Sequence, residues 1–118
     1  LYLIRDEDIL KVLNELRASG AEAISINNER LIASSEVRTA GPFLSVNNKN
    51  LAAPFEIKVI GNPETLENAL RMRGGVIETL QFWGIQVRVK KQESVQIPAF
   101  QGAFRFQLAQ PVQKEESK

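Results

Sequence analysis

In residues 6–26, "DEDILKVLNELRASGAEAISI", a helix signal is followed directly by a strand signal. Apolar residues recur at the helical spacing and form one stripe, made of Ile9, Val12, Leu13 and Leu16. Asp6 is placed as the N-cap, and Gly20 is placed for a left-handed C-terminal stop. After this glycine, residues 23–26 carry two β-branched isoleucines, which favour an extended strand. The stretch therefore predicts one well-delimited helix that leads into a strand.

Residues 27–60 alternate between short apolar runs and turn residues. Asn27-Asn28 is predicted to be a hairpin turn, because asparagine tolerates positive φ, and residues 30–33 are its return strand. A strand, a turn and a strand then follow at residues 43–46, 47–50 and 55–60. Between these two groups, Gly41-Pro42 redirects the chain. We therefore expect consecutive hairpins in the middle of the chain.

The second half of the chain begins with another helix signal. Asn62 is placed as the cap, Pro63 is the first helical residue, and Gly74-Gly75 interrupts the helix before a further helical piece at residues 76–83. Residues 85–91 then alternate between apolar and polar side chains, which is typical of a strand with one wet face. Residues 103–109 are expected to form a last strand, and the apolar residues 1–4 a first, buried strand.

This order of elements predicts an α+β fold. We expect a ferredoxin-like mixed sheet with helices on one face and an extra central β-hairpin region, with a right-handed β-α-β unit at each end. The length of 118 residues suits one domain, which we assign to residues 1–112. The polar residues 113–118 are expected to be a flexible tail.

The composition excludes several classes of function. Fifteen Lys and Arg against fourteen Asp and Glu leave a net charge of +1, so the chain lacks the basic excess typical of nucleic-acid binding. It contains no cysteine and no histidine, which excludes a Ser-His-Asp triad, a cysteine nucleophile and a thiolate zinc site. The acidic residues do not follow a calcium-loop spacing. An enzyme would have to use carboxylates, a lysine or a metal, and no motif in the sequence points to such a site. We therefore expect no enzymatic activity, no cofactor and no metal, and an enzyme is the last of the three hypotheses.

Glu36 and Arg38 stand just before the Gly41-Pro42 redirection. On an extended chain, residues two apart point to the same face, so the two side chains can pair or flank one ligand. One interpretation is that Arg38 presents its guanidinium to a carboxylate or a phosphate. The other is that the pair covers a sheet edge and blocks unwanted strand addition. The residues alone leave both open.

Three motifs together give a resemblance to a known family. They are E-L-R-x-x-G-A-E-A-I-x-I-N at residues 15–27, E-x-R-x-x-G-P at residues 36–42 and I-x-V-I-G-N-P at residues 57–63. With these motifs the chain resembles, from about Asp6 to Phe106, the uncharacterised bacterial family called domain of unknown function 881. This family is found largely in Gram-positive bacteria and is sometimes labelled division-initiation protein. One departure is Asn48, where members often have glycine.

The resemblance implies a cellular setting that the composition does not show. Members carry an N-terminal membrane-spanning segment and a coiled coil, so this domain would face the extracytoplasmic side of the cell membrane. The chain opens with leucine, and we therefore expect it to be a fragment whose only link to the membrane is a segment absent from it. The family has no established catalytic residues. The candidate binding residues, taken from its motif positions, are Asn27, Glu36, Arg38 and Asn47.

The expected function is protein-protein interaction. The domain would be a non-enzymatic part of a membrane-anchored cell-envelope or division-associated protein, with a protein partner or a second copy as its ligand and no nucleic acid. The alternative is a small-ligand sensor with a site near Arg38, which requires a concave pocket with a few polar groups.

Overall fold

The computed structural model of the protein describes residues 4–100. These residues form three helices and two small antiparallel sheets, which confirms the predicted α+β class. In chain order the elements are α1 Asp6–Ala18, β1 Ala23–Ile26, β2 Glu29–Arg30, β3 Val37–Ala40, β4 Phe43–Val46, β5 Lys49–Leu51, β6 Ile57–Ile60, α2 Pro63–Leu70 and α3 Val76–Phe82.

The strands form a first sheet in the order β2-β1-β6 and a second sheet in the order β3-β4-β5. All the pairs are antiparallel, so the described residues do not contain the single mixed sheet that we expected. The strands β3, β4 and β5 form a sheet of their own, which is the extra central hairpin region of the prediction, whereas residues 1–3 of the expected first strand lie outside the described residues.

Both Asn-Asn pairs form two-residue hairpin turns. The φ angles are 46° and 69° at Asn27 and Asn28, and 53° and 64° at Asn47 and Asn48. Positive φ at both central residues is the mark of a type I′ turn, whose twist matches that of the flanking strands. The predicted turns are confirmed, although the second one is shorter than expected, because Lys49 and the next two residues already belong to β5.

Gly41-Pro42 joins β3 to β4 in a third two-residue hairpin. Gly41 has a φ of 60°, and a glycine with positive φ at the first central position suits a type II′ turn. The redirection seen in the sequence is therefore a tight turn between paired strands. Strand β3 itself was not predicted.

The core brings together α1, both sheets and α2. The buried apolar residues of this cluster are Ile9, Leu13, Leu16, Ile24, Ile26, Leu44, Val46 and Leu66. The predicted stripe of α1 is confirmed, except that Val12 is only partly buried. The N-cap of α1 is Arg5, one residue earlier than expected, and its backbone N–H donates to Asp8 Oδ2 at 2.9 Å.

Some predicted strands are shorter or absent. The return strand after Asn28 is only Glu29–Arg30, because a turn in which Ser35 N–H donates to Ile32 O at 2.9 Å leads the chain away. Residues 85–91 keep their alternating burial but form no strand with other described residues. The expected strand at 103–109 and the tail at 113–118 lie outside the described residues, as do residues 1–3. No helix within residues 4–100 has the length and hydropathy to span a membrane.

Candidate functional site

Asn27 fastens the first hairpin to the connection between β5 and β6. Its Oδ1 accepts a hydrogen bond from Glu56 N–H at 2.7 Å. Its Nδ2 lies 3.3 Å from Ala52 O and 3.4 Å from Pro54 O and donates to both. All the polar atoms of this amide are therefore used inside the fold, and Asn27 acts as a positioning residue.

Asn47 plays the corresponding part in the second hairpin. Its Nδ2 donates to Arg30 O at 2.9 Å, so a turn of the second sheet is bonded to β2 of the first. Beside it, Lys49 Nζ and Glu29 Oε2 form an ion pair at 3.0 Å between the same two sheets. The Glu29 side chain is only 15% exposed, which shields the pair from solvent on one side.

Glu36 and Arg38 form an ion pair, which is one of the two arrangements that their spacing allows. Arg38 Nε lies 2.9 Å from Glu36 Oε1, and the two side chains are 71% and 68% exposed, respectively. Arg38 is on β3, an outer strand of the second sheet, and Glu36 comes one residue before this strand. An exposed pair of this kind contributes about 0 to 1 kcal/mol to stability, so its main effect is to fix two opposite charges on an edge.

Strand β3 is held at its other end by Asp6, the first residue of α1. Asp6 N–H donates to Thr39 Oγ1 at 2.8 Å, and Thr39 N–H donates to Asp6 Oδ2 at 3.1 Å. The bond from the Thr39 backbone is the main cause that lowers the pKa of the Asp6 carboxyl below its ordinary value. These two bonds fill a position on the β3 edge that would otherwise be open to another strand.

The predicted site residues therefore fall into two groups. Glu36 and Arg38 are exposed on the β3 edge, whereas Asn27 and Asn47 are half-buried and used between the sheets. The register places Val37 opposite Val46, so Glu36 and Asn47 follow at the same end of the β3-β4 hairpin. No hydrogen bond among the described residues joins the Glu36–Arg38 pair to Asn27 or Asn47.

Two surface features were not predicted as sites. A groove of about 360 Å³ lies between the end of α1 and the chain after β2, and Arg38 is not among its lining residues, which include Arg17, Glu22, Ile24, Leu31, Ile32 and Ser35. At the end of α3, Phe82 and Trp83 are 81% and 53% exposed, with their rings edge to face at 5.5 Å. The hydrophobic pattern of residues 76–83 gave no sign that these rings stay outside the core.

Within residues 4–100, no group of three or more metal-ligating side chains comes together. The described surface features include a charged pair beside β3, a groove at the end of α1 and an exposed aromatic pair at the end of α3.

The comparison with protein families agrees with the motifs. A family model described as "Bacterial protein of unknown function (DUF881)" matches residues 2–110. The chain belongs to this family. Within the DUF881 family, the "UPF0749 protein YlxW" of Bacillus subtilis (strain 168) is 35% identical over 96 residues, which are 81% of this chain and 42% of that protein. The "UPF0749 protein Rv1825" of Mycobacterium tuberculosis (strain ATCC 25618 / H37Rv) is 34% identical over 113 residues, which are 92% of this chain and 39% of that protein.

A solved structure supports the fold of this DUF881 domain. It is described as "Crystal structure of an uncharacterized conserved protein from Mycobacterium tuberculosis" and superimposes with a TM-score of 0.82 at 34% identity. The match covers 93% of this chain and 80% of that one. The chain spans about two fifths of the length of the two relatives named above.

Proposed function

We propose that this DUF881 domain is a non-enzymatic protein-binding module whose contact surface is the outer edge of β3. The observation that carries the proposal is the Glu36–Arg38 pair, which is exposed and yet held at 2.9 Å. Opposite charges fixed side by side select a partner by charge complementarity and suppress wrong partners.

The fold keeps this edge rigid. Strand β4, which pairs with β3 along its whole length, buries Leu44 and Val46 in the core. At the far end, Thr39 is bonded to Asp6 at the start of α1. A surface that is ordered before binding loses less conformational entropy when it binds, so even a modest contact area gives useful affinity.

The proposed setting is the extracytoplasmic side of the cell membrane, in a cell-envelope or division-associated protein. The support is the family resemblance, which implies a membrane-spanning segment and a coiled coil in the whole protein. A coiled coil would also bring two copies of the domain together. The activity and partners of the whole protein are part of the proposal, since the match covers 42% of the Bacillus relative.

The test is a cross-linking capture of partners by the full-length protein in membranes, with a charge reversal at the edge. Arg38→Glu places two negative charges side by side. This variant should no longer capture a specific partner, although it is expressed at the wild-type level. Arg73→Glu is the matched control, because Arg73 is an exposed arginine outside β3.

The informative result is the difference between the two variants. Loss of one partner in Arg38→Glu alone supports the β3 edge. The same set of partners in the wild type and both variants would reject it.

The second candidate, a small-ligand sensor, is favoured by the groove of about 360 Å³. Its site would then include Arg17 and Glu22 and would not include Arg38. Ligand-observed NMR screening with Arg17→Ala as the comparison variant tests this. Ligands that bind the wild type and Arg17→Ala equally would exclude the groove as the binding site.

A further inference from the structure

Ser25, on the central strand of the first sheet, is a buried polar residue without a partner. Its side chain is 0% exposed, and its Oγ has no hydrogen bond within residues 4–100. A hydroxyl in this position is costly, because it has lost its bonds to water and gained none in exchange. Ile24 and Ile26, on either side of it, belong to the core. Ser25 therefore lies on the other face of β1, since successive side chains of a strand alternate.

Two basic residues flank Ser25 on this face. The register places Arg30 of β2 opposite Ser25 on one side and Lys58 of β6 opposite it on the other. Residues that are opposite each other on neighbouring strands share a face, with their Cβ atoms about 5 Å apart. Both basic residues are half-buried. A row across the first sheet therefore carries a hydroxyl between two positive charges.

The side chain of Lys58 reaches toward the strand that carries Arg30. Its Nζ donates to Asn28 Oδ1 at 3.1 Å, and Asn28 is the last residue before β2. Because β1 lies between β6 and β2, the lysine side chain crosses β1 on the face of Ser25. The two positive charges thus come together on one side of the β1-β2 hairpin.

The described part of the chain supplies no counter-charge to this row. None of its ion pairs includes Arg30 or Lys58. The carboxylate next to Arg30, that of Glu29, is held by a lysine of the second sheet, and Glu56, two residues before Lys58, is exposed. Arginine and lysine only donate hydrogen bonds, so neither can accept the proton of the Ser25 hydroxyl. The row therefore lacks a negative charge and an acceptor, and one anion would supply both.

We propose that Arg30, Ser25 and Lys58 bind a phosphate group. A phosphate group carries close to two negative charges at neutral pH and has three acceptor oxygens, which match two cations and one hydroxyl. The guanidinium of Arg30 suits two of the oxygens, and Lys58 acts as a point charge. A carboxylate has one charge and two oxygens, so it fits the row less well.

The proposed site is separate from the Glu36–Arg38 pair, because it lies on the first sheet and that pair lies beside the second. To admit the anion, the flexible stem of Lys58 turns aside, and its bond to Asn28 is exchanged for a bond to the phosphate. Both a free phosphate compound and a lipid headgroup with a terminal phosphate carry this group.

The experiment is a titration of the isotope-labelled chain with inorganic phosphate at constant ionic strength, followed by NMR. The amide shifts of residues 25, 30 and 58 should move together and give one dissociation constant. Arg30→Gln and Lys58→Gln should each weaken binding about 10- to 100-fold, because each removes a charge-assisted bond. Arg73→Gln is the matched control and should bind as the wild type does, since Arg73 is exposed and lies between α2 and α3. Acetate should bind at least about tenfold more weakly than phosphate.

Ser25→Ala separates a binding role from a structural one. Without phosphate this variant should melt at or above the wild-type Tm, because it removes a buried hydroxyl that has no partner. With phosphate the Tm of the wild type should rise more than that of Ser25→Ala, because a ligand that binds only the folded state stabilises it according to its affinity. A lower Tm of Ser25→Ala in the absence of phosphate would show that the hydroxyl already has a partner, and would overturn the proposal.

The titrations can overturn the proposal in two further ways. Equal affinity for phosphate in the wild type, Arg30→Gln and Lys58→Gln would do so, and so would acetate that binds as tightly as phosphate.

Sedimentation with vesicles of phosphatidylcholine, with and without phosphatidic acid, distinguishes the sources of the group. Binding that requires phosphatidic acid and is lost in Arg30→Gln assigns the site to a lipid headgroup. Binding of inorganic phosphate without binding of either vesicle assigns it to a soluble phosphate compound.

Discussion

Replacing Asn27 by glycine removes the side chain that fastens the first hairpin to the connection between the two sheets. Glycine keeps the positive φ of 46° accessible, so backbone strain is not introduced. The 2.7 Å bond to Glu56 N–H counts for about 1 kcal/mol, and the two longer bonds together for about 1 kcal/mol more. We therefore expect Asn27→Gly to lower the free energy of unfolding by roughly 2 kcal/mol through lost hydrogen bonds.

The matched control is Asn48→Gly. Asn48 also has positive φ, at 64°, and its side chain makes no hydrogen bond within residues 4–100. Both variants carry the same cost of a more flexible unfolded chain, so the difference between them isolates the hydrogen bonds. Urea unfolding followed by circular dichroism should separate them by roughly 2 kcal/mol, which is roughly 6 to 12 °C in Tm for a domain of this size. Equal stabilities would refute the assignment of Asn27 as the fastening residue.

Three further predictions concern α1 and the β3 edge. The pKa of Asp6 is lowered in the folded state mainly by the hydrogen bond from the Thr39 backbone. The charged carboxylate therefore stabilises the fold above the unfolded pKa, and this stabilisation is lost as the pH falls through the folded pKa. In thermal melts below about pH 4, the Tm of Asp6→Asn should fall less than the Tm of the wild type. Leu13→Ala, at a fully buried site, should cost about 2 to 5 kcal/mol in urea unfolding, whereas Leu10→Ala, which is 39% exposed, should cost less than about 1 kcal/mol; similar losses would contradict the assigned core. Arg38→Ala should change stability by less than about 1 kcal/mol by calorimetry, and a larger loss would show that the ion pair supports the fold.

The parts of the fold that local physics determines were predictable from the sequence. The stripe of α1 needs only the helical period, and the turns at Asn27 and Asn47 need only a residue that accepts positive φ. The start of α2 is equally local, because Asn62 Oδ1 accepts from Thr65 N–H at 3.1 Å, three residues away.

Strand β3 was not predictable in this way. Its residues Val37–Ala40 have no clean alternation, and one of its edge positions is filled by a residue 33 positions earlier in the chain. The roles of the candidate residues also depend on contacts between residues that are far apart along the chain. Asn27 and Asn47 could be read as turn residues, but their partners are 17 to 29 residues away, and only the fold shows that their amides are already occupied.

The two bonds between Asp6 and Thr39 also define a path for mechanical load. Asp6 is the first residue of α1, so a pull on the chain before it acts along the start of the helix. Outside the helix, that pull reaches Thr39 on β3 through a bond in each direction. Tension applied before Asp6 would therefore act directly on Thr39, the neighbour of Arg38, through these two bonds.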